Sequence, residues 1–171
     1  MNQFEKITGK IRSLEETIAW MKELRDNGKS IAFTNGCFDL LHRGHVTYLA
    51  QASDYADILI LGLNSDNSVK RQNKGPERPI NDEVSRALVT ASLECVDGVV
   101  LFTEDTPENL IKSLIPDVLI KGADYNAEET NPLNKSYVVG SDIVRENGGK
   151  VITIPIVEGH STTALVKKMK S

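Results

Sequence analysis

The sequence predicts a doubly wound α/β fold, with five parallel strands in one sheet and helices on both faces. Three observations predict it. Short apolar runs alternate along the chain with longer stretches of helical periodicity. The longest run, Ile58 to Leu63, shows no polar alternation, the mark of a strand covered on both faces. No long interruption separates these units, and alternating strands and helices joined by right-handed crossovers give a parallel sheet.

The elements follow in order. Residues 1–28 are expected to form a helical extension outside the sheet, and residues 29–171 the core of a single domain. Ser13-Leu14-Glu15-Glu16 has the form of a capping box, with Leu14, Ile18, Met21 and Leu24 at helical spacing until Gly28. Ile31-Ala32-Phe33 is the first strand, and it runs into a glycine-bearing loop. A helix is expected from Gly44 to Tyr55, a strand over Ile58 to Leu63, and a charged connection over Asn64 to Ile80. Val84, Leu88, Ala91 and Cys95 share one helical stripe. Val99 to Phe102 is the third strand, and Pro107 suits the first turn of a helix. Val118 to Ile120 is the fourth strand, Ser141 to Glu146 a short helix, Val151 to Ile154 the fifth strand and Ser161 to Met169 the last helix. Residues 126 to 137, polar and carrying a proline, read as a mobile loop.

Composition narrows the function. The chain has 171 residues, 40% hydrophobic and 26% charged, as expected of one folded soluble domain. Its net charge is −4, without a run of Lys and Arg that tracks a nucleic-acid backbone, so neither nucleic acid nor membrane is expected as a partner. The start is polar and mixed in charge, unlike a signal peptide, and no apolar run is long enough to span a bilayer. Cys37 and Cys95 make neither a CxxC pair nor a metal-ligand set with the three histidines. A cytoplasmic location fits, and there the sequon Asn134-Lys135-Ser136 has no consequence. Two motif imitations fail. Gly28-Lys29-Ser30 would need a glycine at Glu23 and a preceding strand to be a P-loop. Met169-Lys170-Ser171 resembles a synthetase loop without any tRNA-binding region.

Four groups of residues can carry chemistry. The first is Gly36-Cys37-Phe38-Asp39-Leu40-Leu41-His42-Arg43-Gly44-His45, between the first strand and its helix. A helix start offers unpaired N–H groups and the positive end of a dipole to phosphate. His42 and His45, three apart, can face one anion and donate hydrogen bonds as charge develops. Alternatively they are ordinary loop histidines or metal ligands. The second is Gly159-His160-Ser161-Thr162-Thr163 before the last helix. It is either a plain N-cap or a grip on a triphosphate tail, with His160 expected to face solvent. The third is Lys121-Gly122-Ala123-Asp124. It is either a plain strand-ending turn or, if the strands, counted along the chain, lie in the order 3-2-1-4-5, a segment that meets the first group at the switch point where ligands bind. Asp124 could accept from ribose, accept from sugar hydroxyls or hold magnesium. The fourth comprises Lys70, Arg71, Lys74 and Arg78, with Arg86 on the next helix. They form either a solvated face or cations that close over a transferring phosphoryl group.

The pattern GxFDxxHxGH resembles that of the cytidylyltransferase-like nucleotidyltransferases. More narrowly, several segments resemble the heptose 1-phosphate adenylyltransferases. These are Phe33 to Asp39, Asn64-Ser65-Asp66, Ser68 to Arg71, Lys74-Gly75-Pro76 with Arg78-Pro79, Glu104 to Pro107, Pro116 to Gly122 with Asp124-Tyr125, Val138-Val139-Gly140, and Gly159 with Ser161 to Thr163. The resemblance runs from about Lys10 to the C-terminus.

It implies a Rossmann-like fold and a reaction of ATP with D-glycero-β-D-manno-heptose 1-phosphate that yields ADP-heptose and pyrophosphate, with Mg2+ accompanying ATP. It also implies a role in lipopolysaccharide core or other surface-glycan synthesis. A homodimer, and coupling to a separate heptose 7-phosphate kinase, are further implications. His42, His45 and Lys74 would be catalytic. Thr34, Asn35, Gly36, Cys37, Phe38, Gly44, Lys121, Gly159, Ser161, Thr162 and Thr163 would bind nucleotide along with the two histidines. Asp39, Asn64, Arg71, Lys74, Arg78, Arg86 and Asp124 would bind the acceptor. No direct protein ligand to metal is implied, Asp124 excepted.

The sequence departs from glycerol-phosphate cytidylyltransferases, which carry Arg-Thr-Glu-Gly-Ile-Ser-Thr-Thr where this chain has Ile156 to Thr163, apolar at the arginine. Lys121 likewise stands where many of them have Met. Residues between Glu128 and Tyr137 look inserted relative to most heptose enzymes. Other acceptors (glycerol 3-phosphate, another sugar phosphate or FMN), CTP as donor, and a non-catalytic nucleotide-binding protein are the alternatives.

Overall fold

The computed structural model describes residues 1–73, 75–157, 159–160 and 162–170, without the side chains of 164, 167, 169 and 170. Six parallel strands form one sheet in the order β1-β4-β3-β2-β5-β6. They are β1 (Ile11–Arg12), β2 (Ile31–Gly36), β3 (Ile58–Asn64), β4 (Gly98–Phe102), β5 (Val118–Gly122) and β6 (Lys150–Ile154). The five expected strands keep their expected order. The sixth corrects the strand count and the picture of residues 1–28 as purely helical. Two residues of β1 extend the edge beside β4, pairing Ile11 with Val99 and Arg12 with Val100. Lys10 anchors this edge, its Nζ donating to the carbonyls of Val96 at 2.6 Å and Leu93 at 3.1 Å. A two-residue strand has no periodicity to read, which is why the sequence concealed it.

Alternation along the strands sends side chains to two cores. Ala32, Leu59, Leu61 and Leu63 face one side, where Leu49 and Ala52 of α3 (Arg43–Ser53) and Ala87 and Ala91 of α5 (Glu83–Ala91) cover them. Ile31, Phe33, Ile60 and Leu119 face the other. There they meet Met21 of α2 (Leu14–Asp26), Ile111 of α6 (Glu108–Leu114) and Val144 of α7 (Ser141–Glu146). The sheet is thus covered on both faces, as its apolar strands require.

Several helices differ from expectation in extent or face. Ser13 caps α2 in a full capping box with Glu16, but Ile18 is 41% exposed while Thr17 is buried. On α5 the buried face is Arg86, Ala87, Thr90 and Ala91, and Val84 is 72% exposed. A short helix α1 (Gln3–Thr8) precedes the sheet, and α4 (Asp66–Arg71) occupies part of the expected connection. Ser65 caps α4 through its side chain, which accepts from the Ser68 N–H. Six residues fall below the length at which periodicity speaks. The last helix, α8, spans Thr162–Lys170. Residues 126–137 are held by their own polar groups, with the Asn126 N–H donating to the Ser136 carbonyl at 2.8 Å.

Order reverses between β2 and β5, and both strands end at one crevice. That crevice holds the candidate site.

Candidate active site

An open cleft of about 810 Å³ lies beyond the carboxyl ends of β2 and β5. Its floor is the loop after β2. Phe38 adopts a left-handed backbone (φ 44) that is unusual for a non-glycine residue. The ring packs back over Gly36, where an added Cβ would lie only 2.8 Å from it. Gly36 is required for this close approach.

His42 occupies the N-cap of α3, a place usually filled by Ser, Thr, Asn or Asp. Its Nδ1 accepts from the His45 N–H at 3.4 Å, a long hydrogen bond that orients the ring over the helix start. An accepting Nδ1 leaves the proton of the neutral ring on Nε2. Burial lowers the His42 pKa from its ordinary value, and the charge of His160 lowers it further. A neutral ring that donates through Nε2 is therefore the resting state near pH 7. The His45 ring stacks on His42, centroids 3.9 Å apart at 20°, and meets Phe38 at 5.1 Å. The two imidazoles of the motif thus form one rigid unit, backed by an aromatic ring.

The second side of the cleft comes from β5. Lys121 Nζ donates to Asn35 Oδ1 at 2.8 Å and sits 5.2 Å above the Tyr125 ring. Two segments far apart in sequence meet here because β2 and β5 are neighbours. Asp124 lines the same side, its Oδ1 within 2.7 Å of where a Cβ on Gly122 would stand. The third side is the start of α8, where Thr162 and Thr163 line the cleft and Gly159 takes φ +74 just before. Lys74 and Ser161 lie outside the described residues.

Other expected site residues are placed differently. Asp39 is only 2% exposed and accepts from Arg78 Nε at 2.5 Å and from the Ile80 and Asn81 N–H groups at 2.9 Å. Asp39 and Arg78 border the cleft, but each is turned to the other, joining the phosphate loop to the segment before α5. Arg86 corrects a further expectation. It is 1% exposed and apart from the cleft, donating to the carbonyls of Cys37, Asn64 and Asn81 and to Asp66. Its place on the buried face of α5 makes it an internal brace instead of a substrate contact.

Arg71 is paired on the surface with Asp105 at 2.5 Å and with the Thr103 carbonyl, tethering α4 to the loop after β4. Thr34 lies behind the cleft, fully buried, its hydroxyl 2.7 Å from the Tyr48 hydroxyl. Asn64 and Cys37 do line the cleft. Asn64 Nδ2 donates to Ser68 Oγ at 2.9 Å, and the Cys37 thiol donates to Gln72 Oε1 at 3.2 Å.

Residues missed in the sequence also line the cleft. Tyr48 was within reach: it follows His45 by three on α3, so it shares that face. Burial raises its phenol pKa far above the ordinary value, so it stays a neutral donor. Tyr125 stood only within a segment of the family resemblance, without a role, and Gln72 and Ile156 carried no signal of their own. His160, expected to face solvent, instead lines the cleft beside Gly44.

This arrangement offers hydrogen-bond donors and cations around a space large enough for a nucleotide. Such a site suits phosphoryl transfer between bound substrates, where positioning and charge stabilisation do most of the work.

Known proteins agree. Residues 33–168 match the family described as Cytidylyltransferase-like. The Bifunctional protein HldE of a Nitratiruptor species is 53% identical over 161 residues, covering 94% of this chain and 32% of that protein. The Bifunctional protein HldE of Geobacter metallireducens is 49% identical over 160 residues, 94% of this chain and 31% of that protein. The chain therefore spans about a third of the length of these curated relatives. A lipopolysaccharide core biosynthesis protein from Thermoplasma volcanium superposes with a TM-score of 0.58 at 26% identity, over 78% of this chain and all 100% of that one. A pantoate-beta-alanine ligase from Francisella tularensis, at 15% identity and a TM-score of 0.57 over 85% of this chain and 66% of its own, shares the fold alone. With its doubly wound sheet, its paired histidines at the switch point and this match, the chain belongs to the cytidylyltransferase-like family of nucleotidyltransferases.

Proposed function

We propose that the chain is an adenylyltransferase that joins AMP from ATP to D-glycero-β-D-manno-heptose 1-phosphate, releasing pyrophosphate. The observation that carries this reading is the convergence of the stacked His42 and His45, the Lys121 cation and the α8 threonines on one cleft. The heptose acceptor is supported by the identity to HldE proteins and by the likeness to a lipopolysaccharide core biosynthesis protein.

In this reaction an oxygen of the sugar phosphate attacks the α-phosphorus in line. The bond to the bridging oxygen breaks, and pyrophosphate leaves with that electron pair. A phosphate monoester is already a competent nucleophile, so no side chain need take a proton from it. His45 donates to the α-phosphate as charge builds there, and His42, through Nε2, to the departing side. Lys121, Thr162 and Thr163 hold the phosphate tail with Ser161, and Lys74 closes over it. Asn35, Gly36, Cys37, Phe38, Gly44 and Gly159 shape the nucleotide site. Asn64 and Asp124 face the acceptor, while Arg71, Arg78, Asp39 and Arg86 hold the surrounding loops.

Magnesium bound to the triphosphate would neutralise part of its charge. Among the described residues no group of three or more His, Cys, Asp or Glu is placed to hold a metal. Of the described carboxylates lining the cleft, Asp39 is paired with Arg78 and Asp105 with Arg71, which leaves Asp124 as the candidate carboxylate for a substrate-bound metal. No helix among the described residues is long and apolar enough to cross a membrane. An acceptor of this kind requires an upstream kinase to supply the sugar phosphate, and work in the cytoplasm where ATP is abundant.

Acceptor profiling tests the assignment. The purified protein with ATP and magnesium is expected to turn over heptose 1-phosphate faster than glycerol 3-phosphate, other sugar phosphates or FMN. Faster turnover of another acceptor, or with CTP, moves the enzyme to a neighbouring branch of the family.

A further inference from the structure

We propose that His160 is a third imidazole of the phosphate site, gripping the pyrophosphate end of the nucleotide together with His42. The inference rests on the nucleotidyltransferase reading above and adds a binding residue to it. His160 belongs to the segment before α8, more than a hundred residues from the paired histidines, yet folding carries it to the same cleft.

Gly44 shows how close the approach is. A Cβ placed there would stand 3.0 Å from both Cε1 and Nδ1 of His42, and 3.3 Å from the Cβ of His160. The His42 ring and the root of the His160 side chain therefore flank one α-carbon on the first turn of α3. A larger residue at 44 would force them apart.

Electrostatics indicate what this junction is for. After burial, the charge of His160 is the next cause that holds the His42 pKa down. Beside His160, the His42 ring is held neutral when the site is empty. A bound anion offsets this at His42 and gives each ring an acceptor for its N–H. Lys121 lines the same cleft and adds a fixed cation to it. The ligand is the polyphosphate tail, since Thr162 and Thr163 at the start of α8 follow His160 by two and three residues.

Calorimetric titration of the full chain with ATP, AMP and inorganic pyrophosphate, in magnesium buffer, tests the proposal. His160→Leu is expected to weaken ATP and pyrophosphate about 10-fold, the value of one charge-assisted hydrogen bond, and to leave AMP unchanged. His160→Lys supplies an N–H donor at the same place and is expected to recover most of the ATP affinity. Equal losses for ATP and AMP, or no loss for either, overturn the role of His160 while the nucleotide site stands. If the wild-type chain binds no ATP, both the site and this proposal fall.

Discussion

His45→Ala is expected to lower kcat by roughly 10²- to 10³-fold while the KM for ATP changes little. The size follows from removing one donor to charge that develops only in the transition state. Ground-state binding is spread over the wider cleft, so losing one ring costs the bound substrate much less than the transition state. The ring is held on two sides, stacked on His42 at 3.9 Å and tilted against Phe38 at 5.1 Å, so little rearrangement is needed before it acts. Steady-state kinetics of the variant measure both constants. A loss of only a few fold contradicts the role, and a loss confined to KM makes His45 a binding group.

Arg86→Met is expected to destabilise the fold by about 3–5 kcal/mol, the usual cost of removing one partner from a buried polar network. Methionine nearly fills the space, so the loss isolates the guanidinium. Without it, the carbonyls of Cys37 and Asn64 lose their donor in a dry interior, the half-buried Asn81 carbonyl loses one as well, and Asp66 loses its cation. For a domain of this size the midpoint of thermal unfolding should fall by roughly 6–20 °C. The brace joins the phosphate loop, the end of β3 and the start of α4 to α5, so activity should fall before global unfolding. A change below about 1 kcal/mol in urea titration contradicts the account.

The two arginines show what sequence could and could not convey. Arg78 and Arg86 were legible as cations near a phosphate site, but not as cations already spent. Whether a guanidinium faces a ligand or a carbonyl depends on which face of α5 is buried, and Val84 suggested the wrong one. The strand order was legible because apolar runs, short crossovers and handedness leave few alternatives. That order predicted that the segment with Lys121 meets the loop after the first strand, and Lys121 stands 2.8 Å from Asn35 at the end of β2. The paired histidines announced themselves by spacing and by the flanking glycines.

Short elements stayed hidden. β1 and α4 are too brief for periodicity, and they form because longer neighbours offer them an edge or a cap. His160 was misread for a related reason. A residue beside a helix start looks solvent-facing until the fold sets a second helix start against it. Tyr48 is the opposite case, since its helical offset from His45 was visible and its burial was not.

The most direct measurement follows the label of ATP carrying radioactive phosphorus at either the α or the γ position. With magnesium and heptose 1-phosphate, the α label should appear in the sugar nucleotide and the γ label in pyrophosphate, in equal amounts. Release of the γ label as inorganic phosphate, or retention of both labels in ATP, contradicts a cleft built to transfer the α-phosphoryl group.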